Sequence, residues 1–224
     1  MMDMEWLMAL GGAFVLPAVA MAVIAYFCGC FNGAVIVSKY ILHDDVRTHG
    51  SGNAGLTNFF RTFGGPLTLV VILCDVLKAV VAILVGVAIA RNFIVDDIPV
   101  LILAKYWSAL FCLLGHIFPC MFGFKGGKGI LSGGTIAIMI DWRVALLVWG
   151  GFLILVALTR YVSLGSVFAA AGFPFGTWFF VSHDVVILAL AVCLGALVIY
   201  MHRGNIQRLL KGEERKLSFH KKTS

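Results

Sequence analysis

Polar residues along this chain are scarce and gathered between long apolar stretches. The stretches run from about Trp6 to Val37, Pro66 to Ala90, Ile98 to Leu114, Ile130 to Ile140, Trp142 to Leu158, Leu164 to Val181 and Val185 to Met201. Most approach the roughly 20 residues that carry a helix across a hydrocarbon core. The pattern predicts an all-α, polytopic membrane protein with seven transmembrane helices. The first stretch is longer than one perpendicular span needs. Pro17 or the Gly29 to Gly33 region would kink it, or its start would lie at the interface. The fourth stretch is short, near the lower limit of a half-span. Asp3 and Glu5 stand where a cleavable signal peptide would carry basic residues, which argues against one.

Composition sharpens this reading. Of 224 residues, 61% are hydrophobic and 12% charged, with a mean hydropathy of +1.01. Soluble domains run nearer half apolar and a quarter charged. A water-soluble single-domain enzyme, a disordered chain and a disulfide-stapled secreted protein are excluded. The basic residues set the orientation. With the N-terminus outside, thirteen Lys or Arg fall on the inner side: Lys39, Arg47, Arg61, Lys125, Lys128, Arg160 and seven from Arg203 to Lys222. Only Arg91 and Arg143 fall outside, beside acids such as Asp96, Asp97, Asp141 and Asp184. The N-terminus is therefore expected outside and the C-terminus in the cytosol. Residues 1–201 form the helical bundle with its cytosolic loops, and 202–224 a juxtamembrane motif and basic tail. The six cysteines lie mostly within apolar stretches at no zinc spacing, so neither a metal nor a structural disulfide is expected.

Three polar clusters share the inner side. The first, Arg47 to Arg61, interleaves glycines with Ser51, Asn53, Thr57 and Asn58. Glycines let successive amides point inward, and hydroxyls, carboxamides and guanidinium groups complete a site for phosphate or carboxylate. Composition alone also allows a solvated loop with a helix cap. The second, Gly115 to Gly129, holds Lys125 and Lys128 around Gly126 and Gly127. It is not a phosphate loop of nucleoside triphosphatases, since the glycine spacing differs and no strand precedes it. A Gly-rich turn feeding a helix N-terminus still attracts an anion, and snorkelling lysines would not explain four glycines. The third, His202 to Lys216, places His202, Asn205 and Arg208 where a helix leaves the membrane; a basic tail on anionic lipid is the simpler alternative. Asp75 and Lys78, three apart within the second stretch, suit an intrahelical ion pair facing the bundle interior. Donors dominate this side, which favours anionic, phosphorylated ligands.

At these residues the chain resembles the acyl-phosphate-dependent glycerol-3-phosphate acyltransferases of bacterial membranes. That family carries Gly-Ser-Gly-Asn-x-Gly-Ala-Thr-Asn followed by Arg, matched from Gly50 to Asn58 with Arg61. It carries Gly-His-x-Phe-Pro running into Phe-Lys-Gly-Gly-Lys-Gly, matched from Gly115 to Gly129. It also carries His-Arg-x-Asn-Ile-x-Arg-Leu with a later Gly-x-Glu, matched from His202 to Leu209 with Gly212 and Glu214. Asp75 with Lys78, and Arg160 to Ser166, are similar too. The chain departs from the family at Gly29 to Asn32, where Gly-Ser-Ile-Pro is usual, and at Leu56, Ala79 and Ile130 to Ser132.

The resemblance implies transfer of a fatty acyl group from acyl phosphate to the 1-hydroxyl of sn-glycerol 3-phosphate, giving lysophosphatidic acid and phosphate in phospholipid biosynthesis. It implies no cofactor and no metal. The partners are the two substrates and membrane lipid, not nucleic acid, for a monomer in the bacterial cytoplasmic membrane. Carried over by motif, Ser51 and Arg61 would bind phosphate near the reacting carbonyl, with Asn53 and Thr57 close by. Lys125, Gly126, Gly127, Lys128 and Gly129 would hold the phosphate of glycerol phosphate. His202 and Asn205 would orient the hydroxyl, Arg208 would add charge stabilisation, and Asp75, Lys78 and Glu214 would be structural. No Ser-His-Asp set can be assembled, which favours direct attack over an acyl-enzyme. The proton acceptor is either His202 or a substrate phosphate oxygen. A membrane phosphotransferase would want more acidic metal ligands than the inner side offers. A carrier for organic phosphate, using Asp75, Lys78 and Lys105, would be expected to show repeated halves, and none stands out.

Overall fold

The computed structural model describes residues 4–217, with side chains from residue 14 onward. Asp3 and the side chain of Glu5, which bear on the signal-peptide reading, and Lys221 and Lys222, which entered the charge balance, lie outside the described residues. Every regular element among the described residues is helical. Four helices are by themselves long and apolar enough to cross a membrane, and six spans result if each of two bent pairs counts as one. The seventh expected span is a short apolar helix of 11 residues. The chain forms two compact units, Met1–Ile140 and Asp141–Ser224. Within the second unit, the segment from His202 to Leu217 packs back onto its own helices.

In the first unit, α1 (Met4–Cys30) runs through Pro17 without interruption. The bend lies later, at Phe31 and Asn32, where the backbone turns by 40° into α2 (Gly33–Ile36) and a π-helical turn, Val37–Ile41. Asn32 is extended, and its side chain accepts from Val35 N at 3.1 Å, capping the new helix. A short helix α3 (Leu56–Thr62) precedes α4 (Leu67–Phe93), α5 (Ile98–Ile117) and α6 (Ile130–Ile140). Along α4 the buried positions Val71, Asp75, Lys78, Ala82, Gly86 and Ala90 recur at helical spacing, while Leu69, Leu73, Leu77, Val81 and Leu84 face outward. An outward apolar face is what a lipid solvent requires.

Small residues set the approach of these helices. A side chain at Gly29 would overlap the Cys112 carbonyl, and one at Gly115 would overlap the Tyr26 carbonyl, so α1 and α5 meet almost backbone to backbone. The polar segment between α1 and α4 has its own apolar core of Ala34, Val37, Val46, Phe59 and Val71. At 11 residues, α6 is about 16 Å long, roughly half a hydrocarbon core. Its last carbonyls would be orphaned in lipid, and Lys105 Nζ donates to Met139 O at 3.0 Å.

In the second unit, α7 (Trp142–Thr159), α8 (Val162–Phe180) and α9 (Val185–Met201) pack in sequence. Asp141 and Asp184 cap α7 and α9 through their side chains. A bend of 58° at His202 leads into α10 (Arg203–Leu210). The tail then returns to the α7–α8 corner. Leu217 N donates to Arg160 O at 2.7 Å, and the Arg160 guanidinium donates to Leu217 O at 3.0 and 3.2 Å. Glu214 collects Ser163 Oγ at 2.9 Å, Asn205 Nδ2 at 2.8 Å and Arg208 Nε at 2.8 Å. Partial burial alone would raise the Glu214 carboxyl, but the three donors outweigh it and hold the group below its ordinary value.

Replacing Lys105 by Met leaves the end of α6 uncapped, and unfolding in detergent should show a loss of about 1–3 kcal/mol. A depressed Glu214 pKa gives stabilisation that is present at neutral pH and lost as pH falls through the folded value. Wild type should therefore melt above Glu214→Gln at pH 7, with the gap closing below about pH 4; a gap independent of pH would remove the carboxylate from the clasp.

Candidate active site

The Gly50 to Asn58 loop is folded around one carboxamide. Asn58 Nδ2 shares its protons among the carbonyls of Val46, His49 and Asn53 at 3.0, 3.1 and 3.1 Å, while its Oδ1 accepts from Ser51 N at 3.0 Å. Gly50 and Gly52 take φ of 60° and 68°, a region side chains disfavour, and this lets the loop close over Asn58. Ser51 and Arg61 are left exposed and Asn53 and Thr57 half-buried. Thr57 and Arg61 are four apart on α3 and so share a face.

Arg47, expected among the groups completing an anion site, is instead a clamp. Its guanidinium pairs with Asp45 at 2.7 Å and donates to Phe122 O at 2.7 Å and Lys125 O at 3.3 Å. The hydrogen bond from Arg47 holds the Asp45 carboxyl below its usual range. The clamp fastens the first polar loop to the second.

In that second loop the geometry differs from a cradle of inward amides. Gly126 N donates to Ile117 O at 3.0 Å and Gly127 N to His116 O at 3.1 Å, so both are committed to the end of α5. Both glycines are required by close packing: a Cβ at Gly126 would overlap His116 O, and one at Gly127 would overlap His116 Nε2. Lys125 stays exposed and Lys128 half-buried. Gly129, with φ of 81°, opens α6, whose first amides lack intrahelical acceptors and suit an anion.

Beneath the two loops lies a buried polar network. Lys78 Nζ is 2.7 Å from Asp75 Oδ1, the intrahelical pair that the spacing predicts. It is also 2.6 Å from His116 Nδ1 and 3.0 Å from Phe31 O. Ser132 Oγ donates to Asp75 O at 3.3 Å from the first turn of α6. His116 was not among the expected site residues, although it lies inside a motif, a histidine closing a span just before a Gly-rich turn being the available signal; Asn58, expected among the carboxamides of an anion site, instead holds its own loop. The charges that a carrier would use are committed internally here, Lys105 to Met139 O and Lys78 to this network.

In the second unit, His202 is buried and its Nδ1 lies 2.8 Å from Val198 O. A carbonyl can only accept, so Nδ1 carries the proton and Nε2 is the acceptor nitrogen in the neutral ring. Asn205 and Arg208, one turn apart, both donate to Glu214. Ser163, a further partner of that carboxylate, was not foreseen; its motif, Arg160 to Ser166, says little by composition.

Known proteins resemble this chain over most of its length. A family model described as glycerol-3-phosphate acyltransferase matches residues 19–212. A glycerol-3-phosphate acyltransferase of Clostridioides difficile (strain 630) is 39% identical over 199 residues, covering 89% of this chain and 95% of the relative. One from Yersinia pestis (strain Pestoides F) is 36% identical over 200 residues, covering 89% and 87%. Among solved structures, the integral membrane glycerol 3-phosphate acyltransferase PlsY in its glycerol 3-phosphate form is similar with a TM-score of 0.77 at 34% identity, covering 90% of this chain and 96% of that one. Its lysophosphatidic acid form gives a TM-score of 0.73 at the same identity, with 90% and 95% covered. The chain belongs to the glycerol-3-phosphate acyltransferase family.

Proposed function

We propose that this multi-pass membrane acyltransferase of phospholipid biosynthesis takes its acyl group from acyl phosphate and delivers it to the 1-hydroxyl of sn-glycerol 3-phosphate. The observation that carries this reading is the fastening of two anion-seeking loops side by side, Arg47 spanning from Asp45 to Phe122 O and Lys125 O. A reaction between two phosphorylated substrates needs two such sites in register. Solved relatives described in glycerol 3-phosphate and lysophosphatidic acid forms support the acceptor and the product.

Ser51 and Arg61, with Asn53 and Thr57, take the donor phosphate. Lys125, Lys128 and the Gly129 end of α6 take the phosphate of glycerol phosphate, while Gly126 and Gly127 shape that loop. Asn205 and His202 orient the hydroxyl, and Arg208 adds positive charge. The hydroxyl oxygen bonds to the acyl carbon, the bond from that carbon to phosphate oxygen breaks, and phosphate leaves with the electron pair. The hydroxyl proton passes to His202 Nε2, the nitrogen that the Val198 contact leaves as acceptor. The donor is already activated, so positioning and charge stabilisation supply most of the rate.

Seven spans with the N-terminus outside and the C-terminus cytosolic suit this chemistry, with α6 as the short seventh span. Thirteen inner cations against two outer ones support that orientation, and the bacterial relatives support the cytoplasmic membrane. The protein acts as a monomer, and residues 202–224 form its juxtamembrane segment.

Purified protein given glycerol 3-phosphate should form lysophosphatidic acid and release phosphate with palmitoyl phosphate, and form none with palmitoyl-CoA. Turnover with the thioester would overturn the donor assignment. His202→Ala should lower kcat by about 100-fold or more while the protein still folds; near-full turnover would move the proton to the substrate phosphate.

A further inference from the structure

The buried network under the loops has no role in the chemistry above, yet it touches both loops of the first unit. We propose that Lys78 and His116 are positioning residues that set the spacing between the two phosphate-binding loops, an assignment that rests on the proposed acyl-transfer reading for the loops' roles.

The argument begins with proton count. A Lys ammonium has three N–H donors and no acceptor. Lys78 directs them at Asp75 Oδ1, His116 Nδ1 and Phe31 O, at 2.7, 2.6 and 3.0 Å. With Asp75 ionised and the ammonium charged, His116 Nδ1 must be the acceptor, so the ring proton sits on Nε2. Turned over, the ring would place Cδ2–H against the ammonium and lose the acceptor.

Each of the three acceptors leads to a loop or a helix start. Phe31 precedes Asn32, whose Nδ2 donates to Ala54 O at 3.0 Å, inside the Ser51 loop. The His116 carbonyl accepts from Gly127 N, and Nε2 lies where a Gly127 side chain would stand, inside the Lys125 to Lys128 loop. The same hypothetical Cβ would be 2.9 Å from Ala54 O, so Gly127 is seated between the ring and the first loop. The backbone carbonyl of Asp75 accepts from Ser132 Oγ at the start of α6. Lys78 is 6% exposed and His116 3%, so water does not compete for these bonds. One ammonium thus links both loops and the α6 terminus.

This network is more than an ion pair that neutralises itself. Asp75 alone would balance Lys78, and the imidazole would then be dispensable filler. The two ideas separate at position 116. Leu fills similar space but offers no acceptor; Asn places a carboxamide oxygen near Nδ1 and can accept from Lys78. Glycerol 3-phosphate affinity is measured by calorimetry on purified protein, and KM and kcat in the palmitoyl phosphate assay. For His116→Leu, Kd and KM for glycerol 3-phosphate should rise about tenfold or more, with kcat within about threefold, and His116→Asn should recover most of the loss. A Leu variant with wild-type Kd, or an Asn variant no better than Leu, overturns the proposal. If His116→Leu fails to fold, as judged by size exclusion, Gly127→Ala decides. Its weakened binding should be relieved by His116→Asn, which vacates the overlapping ring corner, and purely additive losses overturn the proposal. Wild type that binds glycerol 3-phosphate but transfers no acyl group would defeat the acyl-transfer reading while leaving these affinity comparisons standing.

Discussion

An ammonium group buried at the level of a lipid core must find three acceptors within the protein, and much of the first unit follows from where Lys78 finds them. The carboxylate three residues back along α4 is the easy one. The other two require that α1 break at Phe31, freeing a carbonyl, and that α5 end with a histidine at the same depth. An α-helix keeps its carbonyls for itself, so the break in the first span and the buried lysine make sense only together. Asn32 then caps the new helix with one end of its carboxamide and holds the Ser51 loop with the other. The local departure from the family pattern at Gly29 to Asn32 therefore still supplies a cap and a tie.

The glycines divide by physical cause. Gly50 and Gly52 are needed for backbone conformation, since their φ values lie where side chains strain the chain. Gly126 and Gly127 are needed for space, their amides being spent on the end of α5. A Gly-rich phosphate loop in sequence need not present every amide to the phosphate. Here the glycines bring the loop close to its support on the end of α5.

The helical class, the positions of the long spans and the Asp75–Lys78 pair were legible because each rests on a local rule: hydropathy over a window, or spacing along one helix. The motifs Gly50 to Asn58 and Gly115 to Gly129 were legible as chemistry. What they do to each other was not. Arg47 looked like a ligand group because an exposed-looking arginine beside glycines has no sequence mark that tells clamp from cradle. Asn58 and His116 work through contacts to main-chain carbonyls and to residues 38 positions away, which no periodicity encodes. The short α6 was the uncertain span for a related reason: whether eleven residues suffice depends on Lys105, on another helix, reaching its last carbonyls.

On the proposed reading the two units contribute different groups to the reaction, and each has its own internal bonding. The first holds its loops through a dense set of buried, charge-assisted bonds, the means by which a site is made stiff where phosphate oxygens must be met at fixed separation. In the second, His202 meets the Val198 carbonyl at a helix bend, and Asn205 and Arg208 share the Glu214 carboxylate. The Glu214 side chain is itself only 7% exposed, so the clasp is also a buried, charge-assisted set, with Ser163 as its third donor. On the proposed reading, both units thus hold their site residues through charge-assisted bonds, which suits a reaction whose rate rests on positioning more than on an activated nucleophile.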